Sequence, residues 1–148
     1  MSTHTQILYH IVFGTKDRKP TLTKDRRDDL YKYIWGILHE KGCHLYRIGG
    51  AADHVHILCE VKPTKTVSEI VKTIKVATTF HIRDEGLFIY FTTWQEGYGA
   101  FTCSWSQKDS VIEYIRNQEE HHRRVTFEEE FAKLLEKSGV EYEAKYLV

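Results

Sequence analysis

Two histidines separated by a single residue, His54 and His56, lie in a stretch rich in β-branched and apolar residues. Side chains two positions apart in a strand point to the same face, about 6 to 7 Å from each other along the chain. Two imidazoles on one face can bind a divalent metal ion. The pair alone is equally typical of two solvated or core-edge histidines, since such triplets also arise by chance in a chain with nine histidines.

A second group of reactive side chains falls on a helix predicted near the C-terminus. Tyr114 precedes Gln118 by four residues and His121 follows three residues later, so the three lie on one stripe of the helix. A packing aromatic and a surface amide are the ordinary explanations of Tyr114 and Gln118.

The chemistry of the two groups is complementary. A phenol has a reference pKa of about 10, so its attack on a phosphodiester requires a cation that polarises the phosphate. Two neutral imidazoles and one amide oxygen leave open positions on a small divalent ion for phosphate oxygens. The spacing of Tyr114 and Gln118 would bring a nucleophile and a third ligand to that ion together.

The elements that must position these residues follow from hydrophobic periodicity and turn residues. Strands are predicted at residues 7–13, 43–48, 54–61 and 98–104, and helices at 24–41, 67–85, 106–124 and 127–137. Ser106 with Asp109 resembles a capping box at the start of the third helix. The order βαββαβ predicts a ferredoxin-like α+β fold, one antiparallel sheet with helices on one face, followed by an additional C-terminal helix that carries Tyr114.

Length and net charge exclude few classes of protein function. A chain of 148 residues has the size of a single domain, and we expect one domain over residues 1–148. Lys plus Arg and Asp plus Glu both total 21, so net charge gives no indication of a nucleic-acid partner. The polar N-terminus and the absence of a long apolar run predict neither a signal peptide nor a membrane span, and hence a cytoplasmic protein.

Local groups of basic residues and histidines are further candidates for DNA contacts and for neighbours of the site. Lys16 and Arg18 follow the first strand, and Lys72 and Lys75 lie on the polar face of the second long helix, where they could neutralise DNA phosphates. Each is also typical of a solvated surface charge. His10 and His121 are possible neighbours of the site, although His10 could instead be a core histidine. The acidic residues 128–130 and 136–143 indicate a solvated helix and tail, and no role follows from them.

Four segments of the chain resemble one known family. They are YHIVFGTKDRKP at 9–20, DHVHILCEV at 53–61, SEIVKTIK at 68–75 and YIRNQEEHH at 114–122. Together, in this order, they resemble the single-tyrosine His-hydrophobic-His (HUH) transposases of bacterial insertion sequences, which include the repeat-associated tyrosine transposases. The resemblance covers most of the chain. No functional residue of the family maps onto WQEGYGAF at 94–101.

The resemblance implies a specific reaction. His54 and His56 would bind Mg²⁺ or Mn²⁺, Gln118 would complete the ligand set, and Tyr114 would attack single-stranded DNA. The products would be a 5′-phosphotyrosine and a free 3′-hydroxyl, and the 3′-hydroxyl of another strand end would later resolve the linkage without ATP. The resemblance also implies a homodimer that recognises DNA with hairpin ends, with the tyrosine helix often donated to the partner's metal site.

Three other functions are compatible with the same residues. A ferredoxin-like sheet can serve as a non-catalytic module that binds single-stranded nucleic acid. The histidines could instead support a metal-dependent nuclease in which water attacks the phosphate. The third alternative is a domesticated relative that cuts repeat hairpins without moving its own gene.

Overall fold

Four strands form one antiparallel sheet in the order β2-β3-β1-β4. The strands are β1 (Leu8–Gly14), β2 (His44–Gly50), β3 (His54–Glu60) and β4 (Gly99–Cys103). The structure is a computed structural model that describes residues 2–143. The two central strands pair over their whole length, with Val12 opposite His56 and Gly14 opposite His54. This register brings the end of β1 and the start of β3 together at one end of the sheet.

Two long helices connect the strands and cover the first face of the sheet. They are α1 (Lys24–Glu40), between β1 and β2, and α2 (Val67–Glu85), between β3 and β4. This connectivity confirms the predicted ferredoxin-like α+β fold. The core beneath these helices contains alternate residues of the central strands packed against both helices: Ile11, Phe13, Val55, Ile57, Cys59, Leu30, Ile34, Ile70 and Ile74. Complete burial of each large aliphatic side chain contributes about 1.5–3 kcal/mol to stability.

Three further helices lie on the opposite face: α3 (Lys108–Arg116), α4 (Gln118–His121) and α5 (Phe127–Lys137). The βαββαβ unit thus has its helices on one face, as predicted, and the C-terminal helices, for which no face was predicted, cover the other. Val12 and Phe101 of the sheet pack with Phe127 and Phe131 of α5. Leu8, Leu58 and Cys103 pack with Ile115 of α3. Both helices are amphipathic, and the second face of the sheet is the surface on which they bury their apolar sides.

Two glycines allow these helices to approach the sheet closely. A Cβ atom on Gly49 would lie 2.7 Å from the backbone oxygen of Ile115 in α3. A Cβ atom on Gly14 would lie 2.7 Å from the Phe127 ring of α5 and 2.4 Å from the Gln95 amide oxygen. A larger residue at either position would push a helix or a loop away from the sheet.

The helix predicted at 106–124 begins and ends differently in the structure. Its capping box is formed by Ser104 and Gln107 rather than by Ser106 and Asp109, because a short 3₁₀ turn precedes α3. The backbone then leaves the α-helical region at Asn117 (φ −94°, ψ 18°), which separates α3 from α4. Among the described residues, no helix is both long enough and apolar enough to cross a lipid bilayer.

Candidate active site

The His54–His56 pair lies under the second-face helices and not in solvent. Both side chains are completely buried, and their ring centroids are 5.0 Å apart. His54 Nδ1 lies 2.7 Å from the Asp53 carboxylate, to which it donates, because a carboxylate is an acceptor. His56 Nδ1 lies 2.7 Å from His10 Nε2. These partners fix both rings with Nε2 directed away from β3, as in metal sites where the second nitrogen is held by an outer residue.

A third imidazole and a carboxylate complete the cluster from the C-terminal segment. His122 donates from Nδ1 to the carbonyl oxygen of Val125, at 2.7 Å, so its Nε2 also faces inward. Glu130 of α5 is only 2% exposed. Its Oε1 lies 3.0 Å from Nε2 of His122, 3.1 Å from Nε2 of His56 and 3.4 Å from Nε2 of His54. One carboxylate oxygen therefore contacts three imidazoles.

Gln118 and Tyr114 approach the same carboxylate from α4 and α3. Gln118 is fully buried, its Oε1 is 2.9 Å from His54 Nε2, and its Nε2 donates to Glu130 Oε2 at 2.9 Å. The Tyr114 hydroxyl also donates to Glu130 Oε2. Tyr114 lines an open groove, so the phenol is accessible from outside while its hydroxyl reaches the buried cluster. The structure thus brings His54, His56, Gln118 and Tyr114 together within one chain.

Burial and neighbouring charges set the protonation of these groups. Burial lowers the pKa of His56 to about 4 and that of His10 to about 3, so both rings are neutral at pH 7. Burial alone would raise the pKa of Glu130, but hydrogen bonds to His122 and His56 outweigh it and hold that pKa well below its usual range. Burial, and then the Glu130 carboxylate, raise the pKa of Tyr114. A phenolate here therefore needs compensating positive charge.

The donor set matches a divalent cation. His54 and His122 each donate the Nδ1 proton to an oxygen outside the cluster, so in a neutral ring Nε2 carries a lone pair. These Nε2 atoms face Glu130 Oε1, and that of His54 also faces Gln118 Oε1. Ligands about 2.0–2.2 Å from one small ion lie about 3 Å from each other, close to the separations found here. His54, His56, His122 and Glu130 offer ligand atoms within 4.8 Å of one another.

The other predicted site residues differ in position. His10 joins the site as the partner of His56. His121 Nε2 lies 3.5 Å from Glu130 Oε2 and its ring centroid is 5.6 Å from that of Tyr114, so it borders the cluster. Its side chain is 34% exposed.

The four basic residues predicted to bind DNA do not share one environment. Lys16 and Lys72 are exposed. Arg18 pairs with Glu128 at 2.9 Å, beside the start of α5. Lys75 donates to the carbonyl oxygens of Gln95, at 2.8 Å, and Gly97, and it lies over the Phe13 ring. The Lys75 ammonium therefore already has protein partners.

Sequence reasoning missed Glu130 and His122, and the assignment of residues 128–130 to a solvated helix face is wrong for Glu130. The apolar stripe of α5, with Phe127, Phe131 and Leu134, includes position 130 at helical spacing. A carboxylate on an apolar stripe indicates a buried charge with partners. That signal was present in the sequence, but it was obscured by the neighbouring acidic residues.

Comparison with known proteins identifies the family. The family described as "Transposase IS200 like" matches residues 3–118 of this chain. The chain belongs to the IS200-like transposases. Its relatives include the ISDra2 transposase TnpA of Deinococcus radiodurans, 23% identical over an alignment of 123 positions that covers 76% of this chain and 84% of the relative. The transposase for insertion sequence element IS200 of Salmonella typhimurium is 23% identical over 120 residues, 78% of each chain.

A solved structure supports the fold. A REP-associated tyrosine transposase bound to a REP hairpin superposes with a TM-score of 0.62 at 14% identity, over 84% of this chain and 76% of that chain. The family match ends at Gln118. His122 and Glu130 therefore lie outside the part of this IS200-like transposase that the family defines.

Proposed function

We propose that this IS200-like transposase cleaves and rejoins single-stranded DNA through a 5′-phosphotyrosine at Tyr114, next to a divalent metal ion. One observation carries the proposal: the Tyr114 hydroxyl and the three imidazoles meet at a single carboxylate, Glu130. A nucleophile and a metal-binding cluster in contact are what phosphodiester cleavage requires.

The residues that would hold the metal are His54, His56 and Gln118, together with His122 and Glu130. When bound, a divalent ion supplies positive charge to the phosphate oxygens and to the phenolate oxygen. With three imidazoles among the donors, Mn²⁺ suits the set better than Mg²⁺, which prefers oxygen ligands. Asp53 and His10 would orient His54 and His56 from outside the ligand set.

In the proposed reaction, the Tyr114 oxygen bonds to the phosphorus and the bond from phosphorus to the 3′ oxygen breaks. The phenol loses one proton and the departing 3′ oxygen gains one, so the net change is an exchange of one phosphodiester for another. Attack by the 3′-hydroxyl of a different strand end on the phosphotyrosine reverses the chemistry and joins that end. Because the bond energy is retained in the linkage, no ATP is consumed.

The proposed substrate is single-stranded DNA with hairpin ends, and the proposed working form is a homodimer. Family membership supports transposition, and the REP hairpin on the structural relative supports a hairpin substrate. Exposed Lys16 and Lys72 are candidates for phosphate contacts. In this chain the Tyr114 hydroxyl contacts the cluster of its own subunit.

The test is Tyr114→Phe, which removes only the nucleophilic oxygen. With a labelled hairpin oligonucleotide and Mn²⁺, the wild-type protein should cut and form a covalent complex that withstands denaturing electrophoresis. The Phe variant should do neither, while its affinity for the oligonucleotide changes less than about threefold. Tyr90→Phe, at a residue that is 81% exposed, is the matched control.

The competing functions give different results. Cleavage by Tyr114→Phe at the wild-type rate would favour a nuclease in which water attacks. Binding of the oligonucleotide without cleavage by the wild-type protein would favour a non-catalytic module.

A further inference from the structure

The two oxygens of the Glu130 carboxylate have different partners. Oε1 contacts the Nε2 atoms of His56 and His122, at 3.1 and 3.0 Å. Oε2 accepts the hydroxyl of Tyr114 and the amide of Gln118. One side chain therefore connects Tyr114 on α3 to the imidazoles of His56 on β3 and of His122 after α4.

The segment around Glu130 is built to keep this carboxylate in place. Phe127 stacks on His54 with ring centroids 4.2 Å apart and an interplanar angle of 7°. Gly14 provides the space for the Phe127 ring. The helix starts at a capping box in which Thr126 and Glu129 satisfy each other's backbone amides. These contacts place position 130 before any ligand or substrate is bound.

Burial of a carboxylate lowers the stability of the fold unless its oxygens accept hydrogen bonds, and apolar residues would fill the same space with a smaller loss of stability. Here four side chains bond to Glu130, and one of them is the phenol proposed to react. If Glu130 only stabilised the fold, any hydrogen-bond donor could be its partner. If Glu130 positions the nucleophile, it must contact Tyr114, as it does.

We propose that Glu130 is a catalytic residue that holds the Tyr114 hydroxyl at the histidine cluster formed by His54, His56 and His122, which makes α5 part of the active site. This inference rests on the proposed function and adds a residue from outside the family match. The tyrosine side chain has two torsions with a few preferred values, and an acceptor at a fixed place selects the rotamer in which its oxygen faces the cluster. Displacement of a reacting oxygen by about 1 Å can reduce a rate by about 10²-fold.

The test compares Glu130→Gln and Glu130→Asp with the control Glu129→Gln. Gln at 130 keeps the shape but loses the charge, and Asp keeps the charge but withdraws it by one methylene. Gln at 129 can still form the capping box, so the control preserves α5. Three quantities are measured: Mn²⁺ affinity by electron paramagnetic resonance, single-turnover cleavage of a pre-bound hairpin oligonucleotide at saturating Mn²⁺, and the ¹⁹F resonance of 3-fluorotyrosine at position 114 without metal.

We expect both variants at 130 to cleave about 10²-fold more slowly at saturating Mn²⁺, with unchanged oligonucleotide affinity, and the fluorotyrosine resonance to shift. Glu129→Gln should match the wild type in all three measurements. Full recovery of the rate at high Mn²⁺ would overturn the inference, because Glu130 would then act only through metal affinity. An unshifted resonance in both variants would also overturn it.

The fluorine measurement needs no activity, and it separates this inference from the proposed function. If the wild-type protein fails to cleave, the proposed function fails, whereas the contact between Glu130 and Tyr114 is still tested by the resonance. If Glu130→Gln does not fold, Glu130→Asp alone decides the result by the same criteria.

Discussion

On the two faces of the central strands, residues that stabilise the fold alternate with residues of the candidate active site. Along β3, Val55 and Ile57 enter the apolar core under α1 and α2, whereas His54 and His56 enter a polar cluster under α3, α4 and α5. Both sets are buried. The helices that cover the first face, α1 and α2, both lie within the family match at residues 3–118. The second face is covered in part by α5, which follows that match.

The two faces should respond differently to substitution. Apolar contacts are non-directional, so the first face tolerates changes that preserve volume and loses stability when volume is removed. The second face consists of hydrogen bonds with defined partners, and loss of one partner leaves another buried polar group unsatisfied. Neighbouring positions of one strand therefore allow a direct comparison.

The largest effect is expected on the polar face. His56→Ala removes an imidazole that contacts both Glu130 and His10, and we expect cleavage to fall by about 10³-fold together with the loss of tight Mn²⁺ binding. The first-face core should keep the protein folded. Calorimetric titration with Mn²⁺ and circular dichroism measure the two properties. Wild-type Mn²⁺ affinity in this variant would show that the cluster does not bind the metal.

The adjacent residue should show the opposite behaviour. Ile57→Ala removes three methyl or methylene groups from the apolar core, and we expect a loss of about 2–5 kcal/mol in the free energy of unfolding. At a temperature where the variant remains folded, cleavage should stay within about threefold of wild type. Urea denaturation gives the free energy, with Ile57→Val as the control that costs about 0.5–1.5 kcal/mol. A folded Ile57→Ala protein without activity would contradict the separation of the two faces.

Strand alternation made most of this arrangement predictable. The spacing of His54 and His56 gives their shared face. The four-residue spacing of Tyr114 and Gln118 also places them side by side, although the backbone leaves the helix between them at Asn117. The fold follows from the order of the elements. These inferences depend on residues close in sequence, where backbone periodicity alone fixes which side chains are neighbours.

The remaining features depend on long-range packing that no local pattern fixes. Asn117 ends α3 early, and Gln118 then lies at the start of a separate turn with its side chain fully buried. Glu130 belongs to a run of three glutamates, of which only one meets the cluster. Which of the three is buried depends on the path of residues 122–126 and on the space above Gly14. Glutamate side chains are mostly exposed in proteins, so residue type alone predicts an exposed position for all three.

The smallest effect is expected at the lysines of α2, a helix that covers the apolar face. Lys72 is exposed, so Lys72→Ala should weaken DNA binding about two- to fivefold. The slope of the logarithm of the binding constant against the logarithm of salt concentration should become shallower by about one, and the single-turnover rate should not change. Lys75 donates to the Gln95 and Gly97 carbonyls, so Lys75→Ala should instead lower the unfolding temperature. Binding titrations at several salt concentrations and thermal unfolding distinguish the two. A slower cleavage step in Lys72→Ala at saturating DNA would mean that α2 takes part in the chemistry, and the division between the two faces would then be incomplete.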